Sequence, residues 1–394
     1  MRTTFNIILT LINFSFICFL NAQTTAQLDS IIRSHTKTFT FNEHDFVGEG
    51  WQLIINETKN AQNLMLGEDH FSNEIPAFTK AIANEIKFDN FYIEVDPYST
   101  KIIENMIHNF NADKKQSFLD TYGDLFSFYS LKPEFDLLEH IALSGTTLLG
   151  SDQIVGYSDR LVSMQLLNHT KNDKAKEIYS NIMEQSRVQL DSFLKNPQSP
   201  MFMMTPNFDS ELEKLSELKL SALENQIIED LKLSKTIYME QNHKLRVRLI
   251  MNQVMKDYSK WVDAKNLFKY GANHLTRGES FLSNYDIGNL VTNITEANYR
   301  ESLHIMIVGE SGFLGSPFRG FPSNPVDAEK GFYTSYLKPF FNVTEGKDWF
   351  VFDLRPLRKE VFRKKLEIQN LNLERTIRGY DLLIIIPEVS AAKH

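Results

Sequence analysis

Short apolar segments bounded by turn residues recur along the chain and alternate with segments of helical periodicity. The apolar segments occupy residues 51–55, 64–66, 91–95, 147–149, 267–270, 304–308, 350–352 and 382–386. Several of them lack alternation of polar and apolar residues, which is typical of strands buried on both faces. Helical patterns such as 75–86 and 99–109 lie between them. This arrangement predicts an α/β fold with a mainly parallel or mixed sheet that is flanked by helices.

The middle of the chain departs from this alternation. Residues 173–194 and 210–262 carry long helical periodicity with many Lys and Glu residues, and prolines interrupt it between the two stretches. A pattern of this kind predicts a long α-helical hairpin inserted between two halves of one sheet. The predicted organisation is a single α/β hydrolase-like domain, 23–394, with halves at about 23–165 and 263–394 and the helical insert at 170–262.

The first residues have the pattern of a secretory signal peptide. Arg2 supplies a positive charge, residues 7–20 are mostly apolar, and the small residue Ala22 offers a cleavage point. The alternative is an uncleaved membrane anchor, but the apolar run is shorter than the roughly 20 residues that span a bilayer comfortably. We therefore predict a signal peptide at 1–22, export to the periplasm or the exterior, and no stable membrane insertion after cleavage.

Cysteine content and charge exclude several kinds of function. The only cysteine, Cys18, lies inside the apolar run, so the predicted mature chain has no disulfide, no thiolate metal ligand and no cysteine nucleophile. Any metal site must then use His, Asp or Glu side chains. The formal net charge of -8 argues against a nucleic-acid-binding surface, which needs clustered basic residues.

Two Gly-x-x-His motifs each follow an apolar, strand-like segment. The first runs from Gly67 to His70, and the second runs from Gly271 to His274. A glycine at the end of a buried strand lets the backbone turn or approach a ligand closely, and ligands of open α/β sheets bind just outside the carboxyl ends of the strands. One such histidine alone is more often structural, whereas the pair predicts a functional site.

Charged and titratable side chains are expected near four strand ends: Glu68, His70, Glu94, Asp152 and His274. An imidazole that is oriented by a carboxylate can activate water, which predicts acid–base catalysis. Alternatively, His70, His274 and Glu94 could hold one divalent ion, Mn, Co, Zn or Fe, so the cofactor is either absent or a single metal ion. A third interpretation is structural, because acidic residues after strands often cap the next helix, as Glu94 or Asp152 would.

The motif residues resemble a known superfamily. Leu66 to His70, the amphipathic helix after them and Glu94 at the next strand are similar to the erythromycin esterase-like proteins, and more distantly to the TraB/TIKI and ChaN-like groups. Residues 271–275 with Gly278 resemble the second Gly-x-x-His motif of TraB/TIKI proteins, whereas the esterases usually have a His-Asn-x-His pattern there. That departure argues against macrolides as the substrate.

The resemblance implies a role for each matching residue. His70 would be the general base on water, and Glu68 and Glu94 would orient it or hold that centre. His274 would polarise the substrate carbonyl or complete a metal shell. Arg248 would stabilise an anionic intermediate, as cationic donors do in acyl transfer.

The predicted helical insert adds residues that contact substrate. Arg246 is the alternative to Arg248 for the anionic intermediate, and with Asp152 it is a candidate for substrate binding. Whichever arginine points outward equally fits a salt-bridged face of a helix. Met203, near the prolines, belongs to a group of methionines that would line an adaptable apolar binding surface, although plain packing is the more common use of such residues. The predicted function is an exported hydrolase that cleaves an ester or amide in a small-molecule or peptide substrate. The alternative is a haem- or iron-binding protein similar to the ChaN-like group, or a non-catalytic binding protein.

Overall fold

The structure of the chain is a computed structural model that describes residues 26–42 and 45–394. The predicted signal peptide, its cleavage point and Cys18 lie outside these residues. Across the described part of the chain, no helix combines the length and the apolar character that crossing a bilayer would require. Export therefore stays a prediction from the sequence.

Within the described residues, ten strands form one mixed sheet. The strands are β1 (Thr36–Phe41), β2 (Phe46–Val47), β3 (Asn63–Glu68), β4 (Asn90–Ile93), β5 (Thr147–Gly150), β6 (Asn266–Gly271), β7 (Ser302–Leu314), β8 (Asn324–Asp327), β9 (Trp349–Asp353) and β10 (Leu382–Val389). Their order is β2-β1-β9-β10-β7-β3-β6-β4-β5, and β8 pairs with β7. The strands from β10 to β5 in that order are parallel, whereas β9, β1, β2 and β8 pair antiparallel.

Helices fill the segments between the strands. They are α1 (residues 26–34), α2 (Glu49–Asn60), α3 (Glu74–Glu85), α4 (Pro97–Asn109), α5 (Ala112–Tyr122), α6 (Lys132–Leu143), α7 (Asp159–His169), α8 (Asp173–Lys195), α9 (Pro206–Ser216), α10 (Ala222–Glu240), α11 (His243–Lys256), α12 (Tyr258–Trp261), α13 (Ala272–Leu275), α14 (Ile287–Ala297), α15 (Lys338–Phe341), α16 (Arg355–Phe362) and α17 (Leu371–Gly379). The predicted α/β class, with a mixed sheet flanked by helices and a helical insert, is confirmed. The insert comprises α8 to α12, because turns divide the long periodic stretch.

Alternate residues of the parallel strands enter different hydrophobic clusters on the two faces of the sheet. Along β7, Ile305 and Ile307 pack into one cluster, whereas Met306 and Val308 pack into another. Each fully buried side chain of this size contributes roughly 1.5–3 kcal/mol of transfer free energy. Burial on both faces explains why these segments are continuously apolar in the sequence.

The strand predicted at 51–55 is wrong, because these residues lie in α2. Trp51, Ile54 and Ile55 are buried at a helical spacing, and Trp51 stacks on Phe46 with ring centroids 5.1 Å apart. A segment of five residues is too short to distinguish the 3.6-residue period of a helix from the two-residue period of a strand. Strands β1, β2 and β8 had no strong apolar signal, because most of their residues are exposed or half-buried.

Strand order and register place the two Gly-x-x-His motifs side by side. β6 lies between β3 and β4, so a strand from the second half of the chain separates two strands of the first half. In this register Glu68 pairs with Gly271, and Lys269 lies opposite Ile93. Because the three strands are parallel, their carboxyl ends meet at one edge, where ligands of such sheets bind.

Candidate active site

A cavity of about 400 Å³ opens at the carboxyl ends of β3, β4 and β6. Glu68 is the last residue of β3, Glu94 directly follows β4, and His274 lies in α13 directly after β6. These three side chains line the cavity together with His70 and Arg246. The structure thus brings both motifs into one cleft, although the whole helical insert separates them in the sequence.

The His70 imidazole lies between two buried carboxylates. Its Nδ1 is 2.8 Å from Glu68 Oε1 and its Nε2 is 3.5 Å from Glu94 Oε2, while the ring stacks on Phe128 at a centroid distance of 4.1 Å. The side chain is 20% exposed, so it is accessible from the cavity. Burial lowers the pKa of His70, but the hydrogen bonds and charges of Glu68 and Glu94 outweigh burial and raise the pKa to about 10.

Glu94 is the centre of the charged groups in the cleft. Its Oε1 accepts from Arg246 Nη2 at 2.7 Å and its Oε2 accepts from the Gly271 N–H at 2.7 Å. His274 Nε2 lies 3.5 Å from Oε1. Burial raises the pKa of Glu94, but His274, His70 and Arg246 outweigh burial and hold the pKa well below its usual range. Glu94 is therefore a fixed anion that orients its neighbours.

The second motif histidine is held by an acid that the sequence analysis missed. His274 Nδ1 lies 2.7 Å from Asp286 Oδ2, and Asp286 also caps α14 by accepting from the Ile287 N–H at 2.7 Å. Burial lowers the pKa of His274, but the charges of Glu94 and Asp286 raise it above its usual value. The His243 ring lies 5.8 Å from the His274 ring and also lines the cavity.

The insert supplies one arginine to the cleft. Arg246 on α11 donates to Asp152 at 3.0 and 2.6 Å and to Glu94 at 2.7 Å. Burial lowers the pKa of Arg246, but the two carboxylates outweigh burial and raise it. Arg248, two residues further on, is exposed and does not line the cavity. Met203 is fully buried in the core of the insert and is likewise not brought to the cleft. Of Arg246, Arg248 and Met203, which were predicted to act on substrate, only Arg246 reaches the cleft.

A buried lysine and glutamate lie behind Glu68. Lys269 Nζ is 2.7 Å from Glu68 Oε2 and 2.7 Å from Glu134 Oε1, and all three side chains are 1–3% exposed. Burial raises the pKa of Glu134, and the attraction to Lys269 only partly offsets it, so the pKa is about 7. Burial lowers the pKa of Lys269, but Glu134 and Glu68 outweigh burial and raise it.

The sequence contained a signal for only one of the missed residues. Lys269 is a charged residue inside an otherwise apolar strand, which is unusual unless it is paired. Glu134 and Asp286 lie on or before ordinary amphipathic helices, and His243 begins another helix. Only the packing of these helices against the sheet reveals their contacts.

The glycine of the second motif makes room for the first histidine. A Cβ on Gly271 would lie 3.0 Å from His70 Nε2 and 3.6 Å from Glu94 Oε2. A Cβ on Gly67 would lie 2.8 Å from the Tyr380 hydroxyl and 2.9 Å from Ala272 Cα. Gly67 is therefore required for the close approach of the Ala272 backbone, and a larger residue at position 271 would press against the His70 ring.

The residues that the sequence suggested as metal ligands, His70, His274 and Glu94, form ion pairs instead. Both ring nitrogens of His70 and of His274 face carboxylate oxygens at 2.7 to 3.5 Å, and Arg246 donates to Glu94. Among residues 26–42 and 45–394, no group of three or more His, Asp, Glu or Cys side chains is arranged to hold a metal ion. A guanidinium on the shared carboxylate repels a second cation, so these residues as they stand do not fit a divalent ion.

Comparisons with known proteins identify the fold. No protein-family model matches the chain, and no curated protein matches it significantly. Solved structures do match: a succinoglycan biosynthesis protein at a TM-score of 0.55 and 16% identity, and a protein from Bacillus cereus at 0.55 and 13%, each covering 94% of this chain and 98% of that one. An erythromycin esterase mutant in its open conformation matches at 0.52 and 13%, covering 87% of this chain and 94% of that one. The resemblance stated from the motifs is confirmed at the level of the fold.

Proposed function

We propose that the chain is a hydrolase that cleaves an ester or amide bond of a small-molecule or peptide substrate with water activated by His70. The observation that carries this proposal is the His70 imidazole, whose Nδ1 faces a buried carboxylate at 2.8 Å and whose ring is accessible from a cavity. An imidazole held in this way keeps one tautomer and one orientation, as a general base requires. The fold shared with an esterase supports the proposal only as a scaffold for such chemistry.

In the proposed reaction, neutral His70 removes a proton from water as the water oxygen bonds to the carbonyl carbon. The carbonyl π electrons move to oxygen, and the resulting oxyanion faces Arg246 and protonated His274, which stabilise it. The oxyanion then collapses, the bond to the leaving group breaks, and His70 returns its proton to the leaving oxygen or nitrogen. Glu68 stabilises the imidazolium between the two steps, and the enzyme forms no covalent bond.

The test of this proposal is a panel of activated esters and peptide amides incubated with the purified protein, with and without a chelator. We expect turnover of at least one ester, unchanged by the chelator. Loss of turnover with the chelator would contradict the metal-free mechanism. Failure to cleave any member of the panel, by a protein that is folded by circular dichroism, would count against the proposed function.

The rate of hydrolysis is expected to rise with pH across the neutral range. The base must be neutral, and the pKa of His70 is raised to about 10, so the active fraction grows roughly tenfold per pH unit below that value. We expect kcat/KM to increase with pH through the neutral range towards about pH 10. The measurement is a pH profile on an ester whose uncatalysed hydrolysis is subtracted at each pH. A profile that is flat between pH 6 and 9 would show that His70 is not the base.

An aromatic rim at the mouth of the cleft supports a ring-bearing substrate. Phe281 contacts Phe332, Tyr333 and Tyr336 at ring-centroid distances of 5.6, 5.3 and 5.9 Å. Phe332 is 75% exposed and Tyr333 is 55% exposed, and both tyrosines line the cavity. Exposed rings next to a cleft offer flat apolar area for a ligand at low entropic cost. We propose that this rim, rather than Met203, contacts the apolar part of the substrate.

Replacing Tyr333 with alanine is expected to raise KM for an ester with a ring substituent about tenfold, because an aromatic contact contributes about 0.5–1.5 kcal/mol beyond its area burial. A small acetate ester should be cleaved with nearly unchanged constants. The control is Phe362→Ala, which removes another exposed ring, at 60% exposure, that packs on Arg378. Equal losses on both esters would contradict the assignment of the rim to ring recognition.

Export of the chain and haem binding are two further proposals, and the observations support export but not haem binding. The signal-peptide pattern of residues 1–22 supports an exported enzyme, and detection of the mature chain outside the cytoplasm tests it. Haem binding needs an axial ligand beside an apolar slot. Because Glu68, Glu94 and Arg246 line the cleft, its charged lining supports hydrolysis over haem binding.

A further inference from the structure

We propose that Lys269 and Glu134 form a positioning unit for the catalytic imidazole. In this unit Lys269 holds the Glu68 carboxylate in the orientation that receives the His70 Nδ1–H, and Glu134 fixes Lys269 from the opposite side. The inference rests on the proposed role of His70 as general base. Neither residue lines the cavity, so the unit acts through Glu68 and does not touch substrate.

The contacts run in one continuous chain from α6 to the cleft. Glu134 Oε1 and Oε2 accept from Lys269 Nζ at 2.7 and 2.9 Å. The same Nζ donates to Glu68 Oε1 at 2.8 Å, and that oxygen lies 2.8 Å from His70 Nδ1. The ammonium therefore lies against both oxygens of Glu68, 2.7 Å from Oε2 and 2.8 Å from Oε1, and the imidazole faces Oε1, so the carboxylate is held from two directions.

Stability alone gives a weak reason for charges at this place. Lys269 lies in β6 among the fully buried residues Leu267, Phe268 and Tyr270, and its own side chain is 1% exposed. Removing an ammonium and carboxylates from water is costly, and well-packed apolar residues of similar volume are often as stable or more stable. A buried ion pair that ends on a catalytic carboxylate has instead a direct use in orienting it.

The unit also determines which proton arrangement His70 adopts. Burial raises the pKa of Glu68, but Lys269 and His70 outweigh burial and keep the pKa below its usual value. An ionised Glu68 accepts from Nδ1, so the proton stays on Nδ1 and Nε2 is the nitrogen that exchanges a proton with water. Without Lys269, a buried Glu68 would be protonated more easily and would no longer select this tautomer.

Glu134→Gln is the decisive variant, because glutamine keeps the shape and an oxygen acceptor for Lys269 but removes the negative charge. We expect an unchanged KM and a shift of the pH midpoint of kcat to lower pH by about half a unit or more, since one anion near the imidazolium is lost. The matched control is Asp159→Asn. Asp159 is also fully buried, its pKa is also about 7 because of burial, and it accepts from Ser186 at 2.6 Å away from the cleft.

Lys269→Met is the stronger variant, and it leaves two buried carboxylates without their shared cation. If it folds by circular dichroism, we expect kcat to fall at least about tenfold with KM unchanged, because Glu68 no longer orients the base. If it unfolds, Glu134→Gln decides alone. A wild-type pH midpoint in Glu134→Gln, or an equal shift in Asp159→Asn, would overturn the positioning unit.

A titration of the His70 resonance by NMR separates this inference from the proposed function. Histidine-labelled protein reports the protonation of His70 without any substrate, and His70→Ala assigns the signal. A lower midpoint in Glu134→Gln than in the wild type supports the coupling even if no ester is cleaved. An unchanged midpoint in a protein that does cleave esters would reject the positioning unit and leave the hydrolase proposal intact.

Discussion

His70→Ala is expected to reduce ester turnover by at least about 100-fold while the protein stays folded. A positioned general base contributes about 10²- to 10⁴-fold to the rate. The fold is expected to survive because both carboxylates keep a cationic partner without the imidazole: Glu68 retains Lys269, and Glu94 retains Arg246. The measurement is kcat and KM on the best ester of the panel, together with the circular dichroism spectrum.

The control for this variant is His108→Ala, which removes an exposed histidine on α4. It should match the wild type in turnover and in thermal midpoint. Full turnover in His70→Ala, on a substrate that the wild type cleaves, would show that another group is the base. A loss in both histidine variants would indicate a general effect of the substitutions.

Arg246→Met is expected to lower both activity and stability. The substitution leaves Asp152 and Glu94, which are 4% and 5% exposed, without their guanidinium, and breaking such a buried pair costs about 3 kcal/mol. It also removes a cation beside the oxyanion, so kcat is expected to fall by about 10²-fold. Chemical denaturation and steady-state kinetics measure the two effects separately.

Arg248→Met is the matched control on the same helix. Arg248 is exposed, and substitutions at such positions usually change stability by less than about 0.5 kcal/mol. We expect wild-type kinetics for this variant. Equal losses for Arg246→Met and Arg248→Met would contradict the assignment of Arg246 as the arginine of the cleft.

The parallel strands and the paired motifs were accessible from the sequence. Seven of the eight apolar segments proposed as strands overlap strands of the sheet, because burial on both faces requires a continuous apolar run. The two Gly-x-x-His motifs marked the strand ends, and a Cβ at Gly271 would press against the His70 ring. The gathering of Glu68, His70, Glu94 and His274 then follows from the parallel order.

The choice between Arg246 and Arg248 could not be made from the sequence. Side chains that are two residues apart on a helix point in directions about 200° apart around its axis. At most one of the two arginines therefore faces the cleft. The sequence of this helix is compatible with either orientation. The docking of α11 against the ends of β4 and β5 turns Arg246 toward Glu94 and Asp152 and leaves Arg248 in solvent.

What the sequence by itself determined is the set of local periods: buried strands, amphipathic helices and the glycine-marked strand ends that carry His70 and His274. What only the tertiary structure decided is which distant side chains meet. Packing makes Lys269 of β6 a partner of Glu68 and Asp286 at the start of α14 a partner of His274, and it brings Glu134 of α6 to Lys269. The physical reason is that hydrophobic periodicity encodes which face of an element is buried, whereas a contact between charged groups depends on the register and orientation of two elements at once.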